Sequence, residues 1–247
     1  MKFTFFSIQY LITIAIFAMA FAACSDDGVD KITLTLQPNS KVEILLNGSG
    51  TATIAWGDGT KKKKHELTGF DKYWDEEKKD EYTVSHNYSG TSVRTITITG
   101  NNITHLGCFS LGLTDLDVSK NSALIGLVCG DNQLTNLDVK NNPVLTRLSC
   151  GDNLLTSLDV SNNPLLTMLL CDKNQLTNLN VSKCSELEYV SCSGNLLSAE
   201  ALNVLFDMLP LRPEERKGFI YFENNPGTNT CNREIASVKG WFFNKTF

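Results

Sequence analysis

From residue 103 onward, apolar and polar positions recur on a fixed schedule. The segments LIGLVCGDNQL from Leu124, LTRLSCGDNLL from Leu145, LTMLLCDKNQL from Leu166 and LEYVSCSGNLL from Leu187 share one pattern, L-x-x-L-x-C-x-x-N-x-L. ITHLGCFSLGL from Ile103 is a less regular copy. Between these lie LTDLDVSKNSA, LTNLDVKNNPV, LTSLDVSNNPL and LTNLNVSKCSE, beginning at Leu113, Leu134, Leu155 and Leu176. Each 21-residue unit thus holds two half-turns, one of 11 residues and one of 10. Repetition of this kind predicts a solenoid in which each unit packs against its neighbours. Equivalent short strands then stack in parallel, about 4.8 Å apart.

The pattern assigns roles within the coil. Leu127 and Cys129 lie two apart on one strand and face the same side, the interior. Cys108, Cys129, Cys150, Cys171 and Cys192 then form a column of small apolar side chains, a common role for a buried thiol. Disulfides along the column are the geometric alternative, although paired Cβ vectors would point the same way and an odd set leaves one thiol over. Zinc wants four sulfurs converging from short spacings, which a straight column does not supply. Asn132, Asn153, Asn174 and Asn195 follow the strand where the chain turns, and there an asparagine bonds the backbone of neighbouring coils. Asn121, Asn142 and Asn163 do the same in the other half-turn, with Cys184 in the fourth place. Asp117, Asp138, Asp159 and Asn180 align on the outer side, where local backbone bonding is the expected role and no D-x-D-x-D-G loop supports calcium.

Both flanks differ from the repeat. KITLTLQ, KVEILLN, TATIAWGDGT, EYTVSHNYSG and VRTITITG alternate between Gly, Asn and Asp turns and predict a small β-sandwich over residues 31–100. The charged stretch after Thr60, with Lys61 to Lys64 and then Asp75, Glu76, Glu77, Asp80 and Glu81, reads as a solvated loop. After the repeats (101–197), SAEALNVLFDML predicts a helix with Ser198 as N-cap and Pro210 as its stop. A strand, an Asn-Pro-Gly turn, a short helical stretch and an aromatic finish complete a cap over 198–247. The fold class is therefore mainly β with some α.

Three resemblances add to this. The repeat over residues 103–197 resembles leucine-rich repeats, with cysteine in the third apolar slot, and is similar to the internalin-like surface repeat proteins of bacteria. WGDGT at Trp56 to Thr60 and HNYSG at His86 to Gly90 resemble immunoglobulin-like domains of the PKD type. That likeness implies a core Trp, a tight Gly-Asp-Gly turn and a structural role for Asp58 and His86. The N-terminus, MKFTFFSIQYLITIAIFAMAFAACSDD, has the charged start, apolar run and small-residue end of a secretory signal. An uncleaved membrane helix is the alternative, since 3–23 is just long enough to span. Cys24 directly after FAA resembles a bacterial lipoprotein lipobox, which implies a signal peptide over 1–23, lipidation of Cys24 and a tether over 24–30. The following acidic residues resemble a surface-export signal, so the chain is expected on the outer membrane, facing outward.

Function follows from what is missing and what is lined up. The net charge of −5 and the offsetting acidic segment exclude a basic face that tracks phosphate, so no nucleic-acid partner is expected. His65, His86 and His105 sit in no nucleophile-elbow, zinc or P-loop motif, so neither catalysis, metal nor cofactor is expected. Side chains alternating with the core positions line one outward surface: His105 and Phe109, Gly126 and Val128, Arg147 and Ser149, Met168 and Leu170, then Tyr189 and Ser191. Phe109, Val128, Met168, Leu170 and Tyr189 make an apolar row around Arg147, the composition of a contact surface for a protein ligand. A glycan is the second candidate, with Phe109 and Tyr189 stacking on sugars. Three repeats lie between those two aromatics, which ranks glycan below protein. A purely structural envelope role is the third.

Overall fold

The computed structural model describes residues 29–39, 41–69 and 79–243. The expected signal peptide and the lipidation residue Cys24 lie outside the described residues.

Five strands precede the repeats: β1 (Asp30–Leu36), β2 (Lys41–Ala55), β3 (Lys63–Thr68), β4 (Thr83–Asn87) and β5 (Arg94–Gly100). The long strand β2 carries the organisation. Its first half pairs with β4, and its second half pairs with β3 and β5 in a different sheet. The crossing point is a register shift at Asn47 and Gly48. Asn47 Oδ1 accepts from the Gly48 N–H at 2.6 Å and the Gly69 N–H at 3.1 Å, which fixes the bend. A Cβ at Gly48 would lie 1.9 Å from the Asn102 carbonyl oxygen, so only glycine lets the chain pass so close.

Both sheets run on past residue 100. β6 (Ile103–Gly107), the first repeat strand, pairs with β2, and β7 (Leu113–Lys120) pairs with β1. The buried Asp30 carboxylate accepts from the Ile103 N–H at 2.9 Å, tying the first strand to the first coil. One apolar core runs from Ile32 through the repeats to Trp241. Lys63 and Lys64, read from sequence as part of a loop, lie in β3 at a sheet edge and are exposed. Charged lysines on an edge strand oppose pairing with another chain, which accounts for their placement.

The solenoid then adds β8 (Gly126–Val128), β9 (Arg147–Ser149), β10 (Met168–Leu170) and β11 (Tyr189–Ser191), all parallel and in step. Two cap strands, β12 (Gly218–Tyr221) and β13 (Trp241–Phe243), continue the same parallel ladder. The helix Ala199–Met208 is capped by Ser198, whose side chain accepts from the Ala201 N–H, and it buries Leu202, Leu205 and Phe206. Trp241 closes the open end: its indole N–H donates to the Pro210 carbonyl at 2.8 Å, and its ring covers Gly218.

Backbone satisfaction at the turns falls to the asparagines. Asn153 Nδ2 donates to the carbonyls of Cys129, Cys150 and Gly151 at 3.0, 3.1 and 3.2 Å, and its Oδ1 accepts from the Leu134 N–H at 3.0 Å. Asn174 and Asn195 repeat this set one and two coils on, and Asn132 makes an equivalent set at the start. Asn225 extends it into the cap, bonding Leu197, Cys192 and Phe222. In the other half-turn, Asn142 donates to Val118 and Asn121, and Asn163 to Val139 and Asn142. The thiol of Cys184 donates to the Val160 carbonyl in the fourth place. Asp117, Asp138, Asp159 and Asn180 each accept from the backbone N–H two residues on, the local role expected of them.

One recurrent feature has no periodic residue type behind it. The residue two past the cysteine slot is left-handed in every coil: Ser110, Asp131, Asp152, Lys173, Gly194 and Asn224, with φ from 50° to 66°. A side chain there costs about 1–2 kcal/mol except on Gly, Asn or Asp. Lys173→Gly is therefore expected to raise the unfolding free energy by roughly 0.5–1 kcal/mol in urea titration, after the added chain entropy of glycine is offset. In the same titration Asn153→Ala, which orphans a buried N–H, is expected to cost about 2–3 kcal/mol. Asn162→Ala, which removes one exposed bond to the Lys140 carbonyl, is expected to cost under about 0.5 kcal/mol.

Candidate functional site

The strand face is built by alternation: in each three-residue strand the middle side chain is buried and its two neighbours point outward. Because the strands are in register, these neighbours form two rows. The first runs His105, Gly126, Arg147, Met168 and Tyr189, and the second Gly107, Val128, Ser149, Leu170 and Ser191. Nine of the ten residues expected on the face occupy these rows.

Phe109 does not. It lies past the end of β6, after Cys108, and Gly107 takes the place beside Val128. The error arose because the irregular first copy, ITHLGCFSLGL, offers glycine where later copies offer a side chain. Phe109 is nonetheless 45% exposed, beside a hollow of 180 Å³ lined by Lys41, Glu43 and Leu45. The apolar row is also less bare than expected. Val128, Met168, Leu170 and Tyr189 are half-buried, since side chains about 5 Å apart shield one another.

The rows extend at their far end. Phe219 and Phe242 continue the first row beyond Tyr189, and Tyr221 continues the second beyond Ser191. Their rings pair: Tyr189 with Tyr221 at 5.2 Å and Phe219 with Phe242 at 6.2 Å. Phe219 and Phe242 are 40% and 43% exposed. Sequence reasoning missed all three because the inserted helix breaks the 21-residue step. The alternation in GFIY was the available signal.

Electrostatics distinguish the two halves. Burial, reinforced by the neighbouring Arg147 charge, holds the His105 imidazole below its ordinary range, so it is neutral at pH 7. Its ring covers Gly126, and a Cβ there would lie 2.6 Å from it. At the other half, burial, the hydrogen bond with Tyr221 and the nearby Asp172 carboxylate raise the Tyr189 hydroxyl. Glu188 on the rim is held by Arg212 at 2.8 Å and by Arg216.

Away from this face, the His86–Asp58 pair has a catalytic look. His86 Nε2 and Asp58 Oδ2 are 2.7 Å apart. Asp58 also accepts from the Thr60 hydroxyl and backbone N–H, and these bonds with His86 hold its pKa well below the carboxylate range. The His86 ring stacks on Trp56 at 4.7 Å and meets Tyr88 edge-on at 4.6 Å. Tyr88 donates to the Trp56 carbonyl at 2.6 Å. The pair pins the Trp56–Thr60 turn to β4.

The cysteine column is buried throughout, and all seven described cysteines are free thiols. No group of three or more His, Cys, Asp or Glu side chains among the described residues is arranged to hold a metal. Desolvation alone raises Cys108 and leads the raising of Cys129, Cys150, Cys171 and Cys192, the last to about 12.

No family model matches the sequence, and none of the curated proteins compared with it does. Solved structures do show similarity. The functional domain of InlJ from Listeria monocytogenes, described as including a cysteine ladder, is 34% identical with a TM-score of 0.48 over 57% of this chain and 29% of that one. An internalin, InlF, of the same organism is 23% identical with a TM-score of 0.44, covering 51% and 36%. A third, internalin C2, is 21% identical with a TM-score of 0.41, covering 57% and 70%. The match thus spans about a third of the first two proteins.

A raised thiol ionises first in the unfolded chain. Stability is therefore full below about pH 9, the ordinary thiol value, and falls as pH rises beyond it. Cys150→Ala should reduce that alkaline slope by about one proton, read from urea titrations between pH 8.5 and 10.5. Five fast-reacting thiols in the native protein, assayed with a chromogenic disulfide, would refute the column as core.

Proposed function

We propose that this chain is a lipid-anchored cell-surface protein whose leucine-rich-repeat strand face binds a macromolecular partner, most suitably a protein, in an adhesion-like role. The observation that carries the reading is the outward double row itself. Five parallel repeat strands place His105, Arg147, Met168, Leu170 and Tyr189 on one continuous rigid surface, with apolar and cationic side chains intermixed. Arginine and tyrosine, here Arg147 and Tyr189, are frequent anchors in protein interfaces. A rigid sheet presenting them also loses little side-chain freedom on binding.

The lipobox-like Cys24 and the acidic residues after it support an outer-membrane anchor with the chain facing outward. No helix among the described residues is long and apolar enough to cross a membrane. The reading involves no catalysis and no cofactor. The two-sheet unit before the repeats, with its PKD-like Trp56 and His86 positions, serves as spacer and as the cap of the first coil.

A glycan ligand is the second reading, favoured by the aromatic pairs Tyr189–Tyr221 and Phe219–Phe242. The test is a pull-down with residues 25–247 from host-surface and bacterial extracts, beside a variant carrying Arg147→Glu, Met168→Ser and Tyr189→Ala. A protein captured by the first and lost by the second is the expected outcome. Equal capture by both would move the site to the preceding two-sheet unit, and adsorption to polysaccharide without any captured protein would favour the glycan. Whole-cell protease shaving is expected to degrade the protein on intact cells. Protection until lysis would refute the outward orientation.

A further inference from the structure

We propose that the row Lys120, Lys31 and Lys64, on the outer side of the sheet formed by β7, β1, β5, β2 and β3, lies against the anionic phosphate headgroups of the membrane that carries the chain. The repeat strand face is thereby turned away from that membrane. The inference rests on the reading of Cys24 as a lipid anchor and adds how the anchored protein stands on its surface.

Strand pairing assembles the row from three distant parts of the sequence, so the linear charge count did not show it. Lys120 lies opposite Lys31, Lys31 opposite Thr99, Thr99 opposite Thr53, and Thr53 opposite Lys64. Opposed residues of a sheet point to the same side. Here that side is outward, since Ile32, Ile54 and Ile98 at the alternate positions are fully buried. All three lysines are exposed, and the two threonines between them are half-buried. The ammonium groups therefore stand above a low hydroxyl floor and are what a broad surface meets first. Lys61, Lys62 and Lys63, also exposed, continue the charge along the β3 margin.

Two like charges directly across a strand pair are unfavourable without a counter-charge. Lys31 and Lys120 are so placed, and no ion pair among the described residues holds either of them or Lys64. The carboxylates of this face stand off the row. Asp117 and Asp115 lie at the β7 margin, opposite Thr33 and Thr35, and Glu66 accepts from the Thr51 hydroxyl at 3.3 Å.

Five strands span about 20 Å, too little for three lysines to follow a nucleic-acid strand in an acidic chain. A bilayer differs in being held close by. Lys31 directly follows the tether over 24–30, which reaches at most about 20 Å when fully extended. An anionic membrane surface attracts each lysine that comes within a screening length, about 8 Å at physiological salt. The acyl group supplies the hold, and the lysines supply the orientation. His105, Arg147 and Tyr189 lie on the outer side of the other sheet, across the shared core, and so face the medium.

The test is lysine footprinting of the mature chain, from Cys24 onward, purified from cell envelopes. It is placed in vesicles of phosphatidylethanolamine with phosphatidylglycerol, and separately in vesicles of phosphatidylcholine, and acetylated with a water-soluble ester. Mass spectrometry reads each lysine and the modification on Cys24. In the anionic vesicles Lys31, Lys64 and Lys120 are expected to react about fivefold more slowly than in phosphatidylcholine. Lys217, beside Phe242 on the strand face, is expected to react equally in both. Salt at about 1 M is expected to abolish the difference. The double variant Lys31→Glu, Lys120→Glu, its fold checked by urea titration, is expected to return Lys64 to the phosphatidylcholine rate. Equal rates for the three lysines in the two vesicles, or an equal slowing of Lys217, would overturn the proposal. Slowing by a soluble anionic polysaccharide but not by vesicles would also overturn it and assign the row to a glycan. An acylated Cys24 with equal rates leaves the anchor standing and refutes the docking alone. An unmodified Cys24 refutes the anchor, and the docking falls with it.

Discussion

A chain that turns back on itself twice in 21 residues strands backbone donors and acceptors at every corner. Desolvating each of them without a partner would cost about 1–3 kcal/mol. The asparagine amide resolves this, because one planar group both donates and accepts and reaches two coils at once. Asn132, Asn153, Asn174, Asn195 and Asn225 each bridge a coil to the one before it. Strand register, the alignment of the cysteines and the flatness of the outer face all depend on that bond being made at the same place each time. At the other corner Asn142 and Asn163 bond the preceding coil through their donors alone, and the Cys184 thiol supplies that same donor bond.

How much of this was legible depended on whether a rule repeated. The cysteine column, the inward leucines and the asparagine turns were readable because each is stated four or five times over. The face residues Arg147, Met168 and Tyr189 followed by simple alternation. Phe109 was misplaced where the first copy degenerates, and Phe219, Tyr221 and Phe242 were missed where the helix Ala199–Met208 interrupts the count. The left-handed turn was invisible for another reason. Ser, Asp, Lys, Gly and Asn all occupy it, so the constraint falls on the backbone and leaves little trace in residue type.

The amino-terminal strands show a different limit. Alternation identified most of them, but it did not reveal that β2 serves two sheets or that β6 and β7 join those sheets. Strand partners are long-range facts, set by which edges remain open after local folding. Here the edges of the two-sheet unit match the first coil, with the Asp30 carboxylate accepting from the Ile103 N–H and the Asn47 carbonyl accepting from the Thr104 hydroxyl.

The uniformity of the coil joints has a consequence for how such a protein changes over generations. Each joint offers its successor the same carbonyls and receives the same amide, so a unit does not register which neighbour it has. Recombination that drops or duplicates one 21-residue block leaves every remaining joint chemically complete. The array can then lengthen or shorten its outer face in whole steps while both ends stay sealed. Reach becomes adjustable in increments of about 5 Å, without a new fold having to be found.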